Sequence, residues 1–171
     1  SESASSSSPE APACTAAQTT SGGIAVQSVA RFTRYNDGSA GLVTQSTLPI
    51  RYAEAQVLNG AGTQVSCGWT DISGNISLSM PRSPGTYTLR VNSRSYSDMV
   101  RASILNDASS NRFFSIQQNF SVGGGETTVA VSLPTASSSG SLESGAFNIL
   151  DQIVNANIYL RSNVSGFGVA P

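Results

Sequence analysis

The sequence has no histidine, no lysine, two cysteines and one tryptophan, and only 11% of its 171 residues are charged. Each shortage removes a class of chemistry. Without histidine, neither a Ser-His-Asp nor a Cys-His nucleophilic site can be built. The helical H-E-x-x-H zinc site, with two histidine ligands and a glutamate base, is excluded too. Two cysteines cannot complete a four-ligand zinc site, so no metal and no cofactor is expected. The nine basic residues are all arginines, scattered from Arg31 to Arg161 in a chain of net charge −1. That pattern offers no footprint for nucleic acid or an anionic membrane. No apolar run approaches the roughly 20 residues of a membrane span.

The remaining candidates for chemistry are weak. Glu54, Asp71, Asp98 and Asp107 fall in strands or turns with nothing to pair them, and read as solvated acids rather than a glycosidase pair. Calcium at Asp71 and Asn75 would fall short of the usual six to eight oxygen ligands. VGGGETT (122–128) lacks the P-loop lysine and joins two strands, so it reads as a hairpin loop. Trp69, with Tyr52, Tyr87 and Tyr96, is the candidate for sugar stacking, although Tyr52 and Tyr87 also suit a sandwich core.

What is present is a neutral polar composition rich in Ser, Thr, Asn, Gln and Gly, common in secreted and surface-exposed proteins. At this length one domain can bury roughly 70% of its unfolded surface. Residues 1–13, SESASSSSPEAPA, lack the basic start and apolar stretch of a signal peptide. The expectation is a secreted, extracellular or cell-surface protein whose signal has already been removed. Cys14 follows APA, but the preceding residues are polar and a processed lipoprotein would begin at the cysteine. In an oxidising compartment Cys14 and Cys67 would close a loop of about 54 residues, worth on the order of 4 kcal/mol in the chain-entropy model. Asn75, Asn119 and Asn163 are Asn-x-Ser glycosylation candidates, a number that chance alone predicts for this composition.

Along the chain, 1–23 reads as a flexible or extended N-terminal arm and 24–134 as a β-sandwich domain. IAVQSVARFTRY (24–35) reads as the first strand, and NDGSAG (36–41) as a turn. Ile50, Tyr52, Ala55 and Val57 read as a strand, followed by 65–70, the strictly alternating ISLSM (76–80), and TYTLRV (86–91). MVRASILN (99–106), RFFSIQQNFSV (112–122) and TTVAVSL (127–133) follow. Asp71 suits an Asx-turn and Gly74 a left-handed residue. Short strands at this spacing, broken by Gly, Pro and Asn turns, predict an all-β fold. The expected form is an antiparallel β-sandwich of the Ig-like or transthyretin-like kind, with about 7–8 strands. Residues 135–144 read as a linker, 145–164 as one C-terminal amphipathic helix capped by Ser141 or Ser144, and 165–171 as a tail.

PIRYAEAQVLNGAGT, the Thr70-Asp71-x-x-Gly74-x-Ile76 hairpin and MPRSPGTYTLRV together resemble the carboxypeptidase-regulatory-like (transthyretin-like) β-sandwich of secreted bacterial proteins. The resemblance covers 48–91, with Ile76 where an aromatic is often found, and it implies a fold rather than a role. SGAFNILDQIVNANIYL resembles segments that lead from such a sandwich into a secreted zinc-metallopeptidase-like domain. No site of that domain transfers to a chain without histidine.

The helix carries one apolar stripe of Phe147, Leu150, Val154 and Ile158, flanked by Ile153 and Leu160, with Phe147, Leu150, Ile153, Val154 and Ile158 as its candidate assembly face. Burying six large apolar side chains contributes on the order of 10 kcal/mol before conformational entropy is charged. The stripe must therefore be covered by the sandwich itself, a following domain or a neighbouring subunit. As an assembly face, together with an arm able to add a strand to a neighbour's sheet, it predicts self-association. The expected function is a non-catalytic extracellular structural or assembly protein, such as a surface filament subunit. The alternatives are the N-terminal module of a larger metallopeptidase-like protein, or a carbohydrate-binding module.

Overall fold

The computed structural model describes residues 11–38, 41–107, 112–137 and 142–166. These form thirteen strands and one helix. The strands are β1 (Ile24–Val29), β2 (Arg31–Gly38), β3 (Gly41–Pro49), β4 (Glu54–Asn59), β5 (Gln64–Trp69), β6 (Asn75–Met80) and β7 (Gly85–Asn92). They continue with β8 (Arg94–Tyr96), β9 (Arg101–Ser103), β10 (Leu105–Asp107), β11 (Arg112–Phe113), β12 (Ser115–Val122) and β13 (Thr128–Ala130). The helix α1 spans Glu143–Asn163.

Two sheets face each other. One is three-stranded in the order β13-β1-β6, the other four-stranded in the order β12-β7-β4-β5. Alternation along each strand sends one set of side chains inward. Ile24 and Val26 from β1 and Ile76, Leu78 and Met80 from β6 meet Ala55 and Val57 of β4, Leu89 and Val91 of β7, and Ile116 and Val122 of β12. The result is an antiparallel-dominated sandwich with one parallel pair, β1 with β13. Separate two-stranded ribbons, β2-β3, β8-β9 and β10-β11, extend from it.

Several expectations change. The stretch 24–35 is two strands broken at Ala30, which is fully buried. There the chain switches partners: Ala30 donates to the Gly74 carbonyl and accepts from Ile50 N–H. Gly74 has φ +78°, and a Cβ there would sit 2.6 Å from the Ala30 carbonyl oxygen, so the crossing requires glycine. Strand β3 was not anticipated: TQSTLP lacks a clean apolar alternation, and its register against β2 supplies the pairing instead. Ile50 and Tyr52 precede the next strand rather than opening it, Tyr52 with a left-handed φ of +54°. The short β8 to β11 raise the strand count above the expected 7–8. The 122–128 loop joins strands of different sheets, so it is not a hairpin.

The helix packs on its own chain. Phe147 and Leu150 join the main core, and Val154 is 1% exposed. Its N-cap is Leu142 with no side-chain cap; Ser144 instead donates its hydroxyl to the Thr33 carbonyl, and Ser141 lies outside the described residues. The expected linker is partly built into the fold, because Ala136 exchanges backbone hydrogen bonds with β2 at Arg31 and Thr33. From Ala11 onward the N-terminal segment lies against the sandwich and is held there by hydrogen bonds. Residues 1–10 lie outside the described set.

Candidate functional site

The most unusual chemistry lies on the outer face of the four-stranded sheet, where a sandwich normally meets water. In β4, Glu54 and Gln56 point away from the core, yet both are completely buried. They are covered by the N-terminal strap, residues 11–20, which crosses this face. The register sets Glu54 opposite Asn92 of β7 and Gln56 opposite Cys67 of β5.

A charge so placed needs partners, because desolvating a lone carboxylate costs several kcal/mol. Glu54 Oε1 accepts from Arg94 Nε and Asn92 Nδ2 at 2.7 and 2.8 Å. Arg94 Nη2 lies 2.7 Å from the same oxygen. Oε2 accepts the Cys14 backbone N–H at 2.7 Å. Arg94 also donates to the Ala11 carbonyl at 3.0 Å, and its guanidinium lies 4.4 Å from the Phe113 ring centre. Gln56 ties in the Pro12 carbonyl and Gln64, and accepts from Asn92. Asn92 Oδ1 is buried with no hydrogen-bond partner.

The Cys14–Cys67 disulfide, with Cα atoms 5.8 Å apart, closes this arrangement covalently. Beyond it Gln18 N–H donates to the Cys67 carbonyl, Ser66 donates to the Gln18 carbonyl, and Ser79 to that of Thr20. Chemically the cluster is a fastening. Both Glu54 oxygens and the Arg94 Nε and Nη2 atoms have partners within the fold, and Glu54 is corrected from a solvated acid to a buried, paired one. Sequence reasoning missed it because Arg94 lies 40 residues further along the chain. The available signal was polar Glu54 and Gln56 alternating with apolar Ala55 and Val57 beside a cysteine-bearing strand.

A second fastening holds the other end. Arg51 Nη2 and Nε reach Asp151 at 2.6 and 2.7 Å, and Nη2 also donates to Asn155 at 2.7 Å. Arg161 donates to the Asp98 carbonyl. Of the predicted assembly stripe, Phe147, Leu150 and Val154 are buried against the chain's own fold, and Ile153 and Ile158 are half-buried. Most of that stripe is therefore occupied by the chain's own fold.

The other candidates are dispersed. Asp71 forms the expected Asx-turn, its carboxylate accepting from Ser73 N–H, Asn75 N–H and the Asn75 side chain, each at 2.8 Å. Partial burial works to raise its pKa, but these hydrogen bonds outweigh it and hold the group below its ordinary 3.8. In the 122–128 loop, the Gly123 N–H and neighbouring amides hold Glu126 below its usual value. Asp98 is exposed, and Asp107 ends β10. Among the described residues no group of three or more Cys, Asp or Glu is arranged to hold a metal.

Asn75, Asn119 and Asn163 are all exposed, but each side chain already bonds a neighbour: Asp71, Thr88 and the Tyr159 carbonyl respectively. Tyr87 is 6% exposed, stacks on Phe120 and donates to the Ser83 carbonyl, so it cannot serve a sugar platform. Tyr96 is exposed on β8 and Tyr52 is half-buried before β4. Trp69 is half-buried and lines a cavity of about 350 Å³ beside strap residues 17–19; its indole N–H is buried without a partner. A shallower groove of about 680 Å³ runs along β1 and β13, lined by residues including Arg31, Asn75 and Leu133.

Neither a family model nor a curated protein matches the chain. Among solved structures, the crystal structure of a 9R-lipoxygenase from Cyanothece PCC8801 aligns with 92% of the chain at 14% identity and a TM-score of 0.39. The chain spans 26% of that protein's length.

Proposed function

We propose that this chain is a non-catalytic extracellular structural module that assembles with further copies of itself. The observation that carries the reading is how its buried charge is used. Glu54–Arg94 fastens the N-terminal strap, and Arg51–Asp151 fastens the C-terminal helix. Buried ion pairs add little net stability compared with apolar packing, but they define which surfaces meet. Together with the Cys14–Cys67 disulfide, they make a sandwich whose two ends are locked in place. A disulfide of this kind suits an oxidising compartment. The neutral Ser/Thr/Asn-rich composition favours the same role. Because most of the helix stripe is occupied, assembly proceeds through other surfaces.

Light scattering and electron microscopy of native material test this directly. Rings, fibres or defined oligomers are the expected result. A uniform 17.6 kDa monomer at every concentration overturns it.

A further inference from the structure

The two edges of the four-stranded sheet differ. The β5 edge is covered by the strap, whereas β12, the other outermost strand, has no backbone partner on its outer side among the described residues. Its ladder to β7 runs over all eight residues, from Ser115↔Asn92 to Val122↔Gly85. The Ser93 N–H to Phe114 carbonyl bond fixes the phase of that ladder. In an antiparallel ladder bonded pairs alternate, so even-numbered residues bond β7. Ser115, Gln117, Asn119 and Ser121 turn their N–H and C=O groups outward. One of these carbonyls, that of Asn119, is occupied by the chain's own Gln118 side chain at 3.1 Å, a stand-in for a neighbouring strand.

Natural sheets usually protect such an edge with lysine, proline, a bulge or a covering loop. The strand SIQQNFSV has no charge, no proline and no bulge against β7. Its chemistry is also a palindrome about Gln118: Ser, apolar, amide, amide, amide, apolar, Ser. We propose that β12 pairs antiparallel with β12 of a second copy, about a two-fold axis through Gln118. This deepens the assembly reading, on which it rests, by naming the contact.

The register follows from the outward groups. Gln117 pairs with Asn119 of the other copy and Ser115 with Ser121, giving about eight backbone hydrogen bonds. Gln118 meets its own copy in a non-bonded pair on the axis. Ile116 comes opposite Phe120, extending the apolar inner face, and no like charges meet. A two-fold contact requires this self-complementarity, since each residue pair occurs twice. The outward-facing side chains are already held by β7: Arg90 to Gln117 at 3.0 Å, Thr88 to Asn119 at 2.8 Å, and Thr86 with Ser121 at 3.2 Å. Little side-chain freedom remains to be lost on pairing.

The test uses the oxidised full chain, unglycosylated, with cysteine introduced by Gln118→Cys or, as a control, Ser121→Cys. In the proposed register the two Gln118 Cα atoms approach within about 4.5 Å, inside disulfide range, while the two Ser121 positions lie about 20 Å apart. Under a mild thiol oxidant Q118C is expected to cross-link at least tenfold faster than S121C. Asn119→Pro removes an outward donor and no backbone bond to β7, at the cost of the exposed Thr88–Asn119 side-chain bond, and is expected to weaken dimerisation by sedimentation at least tenfold. Its circular dichroism and native Cys14–Cys67 bond serve as checks on folding.

Equal cross-linking of the two variants, or dimerisation unchanged in N119P, overturns the contact. If native material is oligomeric yet Q118C fails to cross-link, the β12 contact falls and the assembly reading stands. If every form is monomeric, both fall.

Discussion

The strands β5 and β12 bound the same sheet, yet they are finished in opposite ways. Along β5 a strap is laid down and held by a disulfide, a backbone hydrogen bond from Gln18 and a buried Glu54–Arg94 pair. Along β12, among the described residues, only Gln118's own side chain bonds an outer backbone group. An edge strand is a template for further pairing unless something blocks it. With the β5 edge blocked, the proposed pairing of this sheet is confined to β12. The strap also converts the outer face of β4 into interior, and this explains why a polar strand segment became the most buried in the sheet.

The comparison predicts unequal sensitivity at the two edges. Arg94→Ala leaves Glu54 buried and unpaired, and should cost about 3–5 kcal/mol, read as a lowered urea midpoint. Replacing Arg94 and Glu54 together by apolar residues of similar volume should recover much of that loss. Removing the disulfide with Cys14→Ser and Cys67→Ser should cost about 2–4 kcal/mol. Limited proteolysis should then cut first within 11–23, while the helix stays protected.

Asp71→Asn should cost about 1 kcal/mol, because the turn loses its charge and one acceptor on an exposed site. Since the folded-state pKa of Asp71 lies below its ordinary value, its contribution is present above that value. It is lost as pH falls through the folded pKa. The gap in thermal midpoint between D71N and the parent should therefore close on acidification. Gln118→Lys, on the open edge, should change monomer stability by no more than about 0.5 kcal/mol. It should nevertheless weaken dimerisation, by setting two cations together on the axis.

The sequence revealed those parts of the fold that depend on local pattern. ISLSM and TYTLRV alternate because one face meets the core and the other does not, and both appear as β6 and β7. The 3.6-residue period near the end gives α1, and Phe147, Leu150 and Val154 are its buried face. The cysteine pair was likewise legible from count and composition, and is bonded. What local pattern could not show was partner choice. Phe147 carries the same stripe whether it faces its own sandwich or a neighbour. Glu54 becomes an interior residue only because β4–β7 pairing brings Asn92 beside it, Arg94 follows two residues later, and Cys14 returns from 40 residues upstream. The open outer side of β12 among the described residues is equally a property of topology, visible only once β7 is known to take its other side.

Amide hydrogen exchange at residue resolution, in dilute and concentrated protein, tests the contrast between the edges most directly. The account predicts that Gln18 is slow at both concentrations, while Ser115, Gln117, Asn119 and Ser121 exchange quickly when dilute and slow markedly when concentrated. Exchange at those four amides that ignores concentration, or a Gln18 amide as fast as theirs, would contradict it.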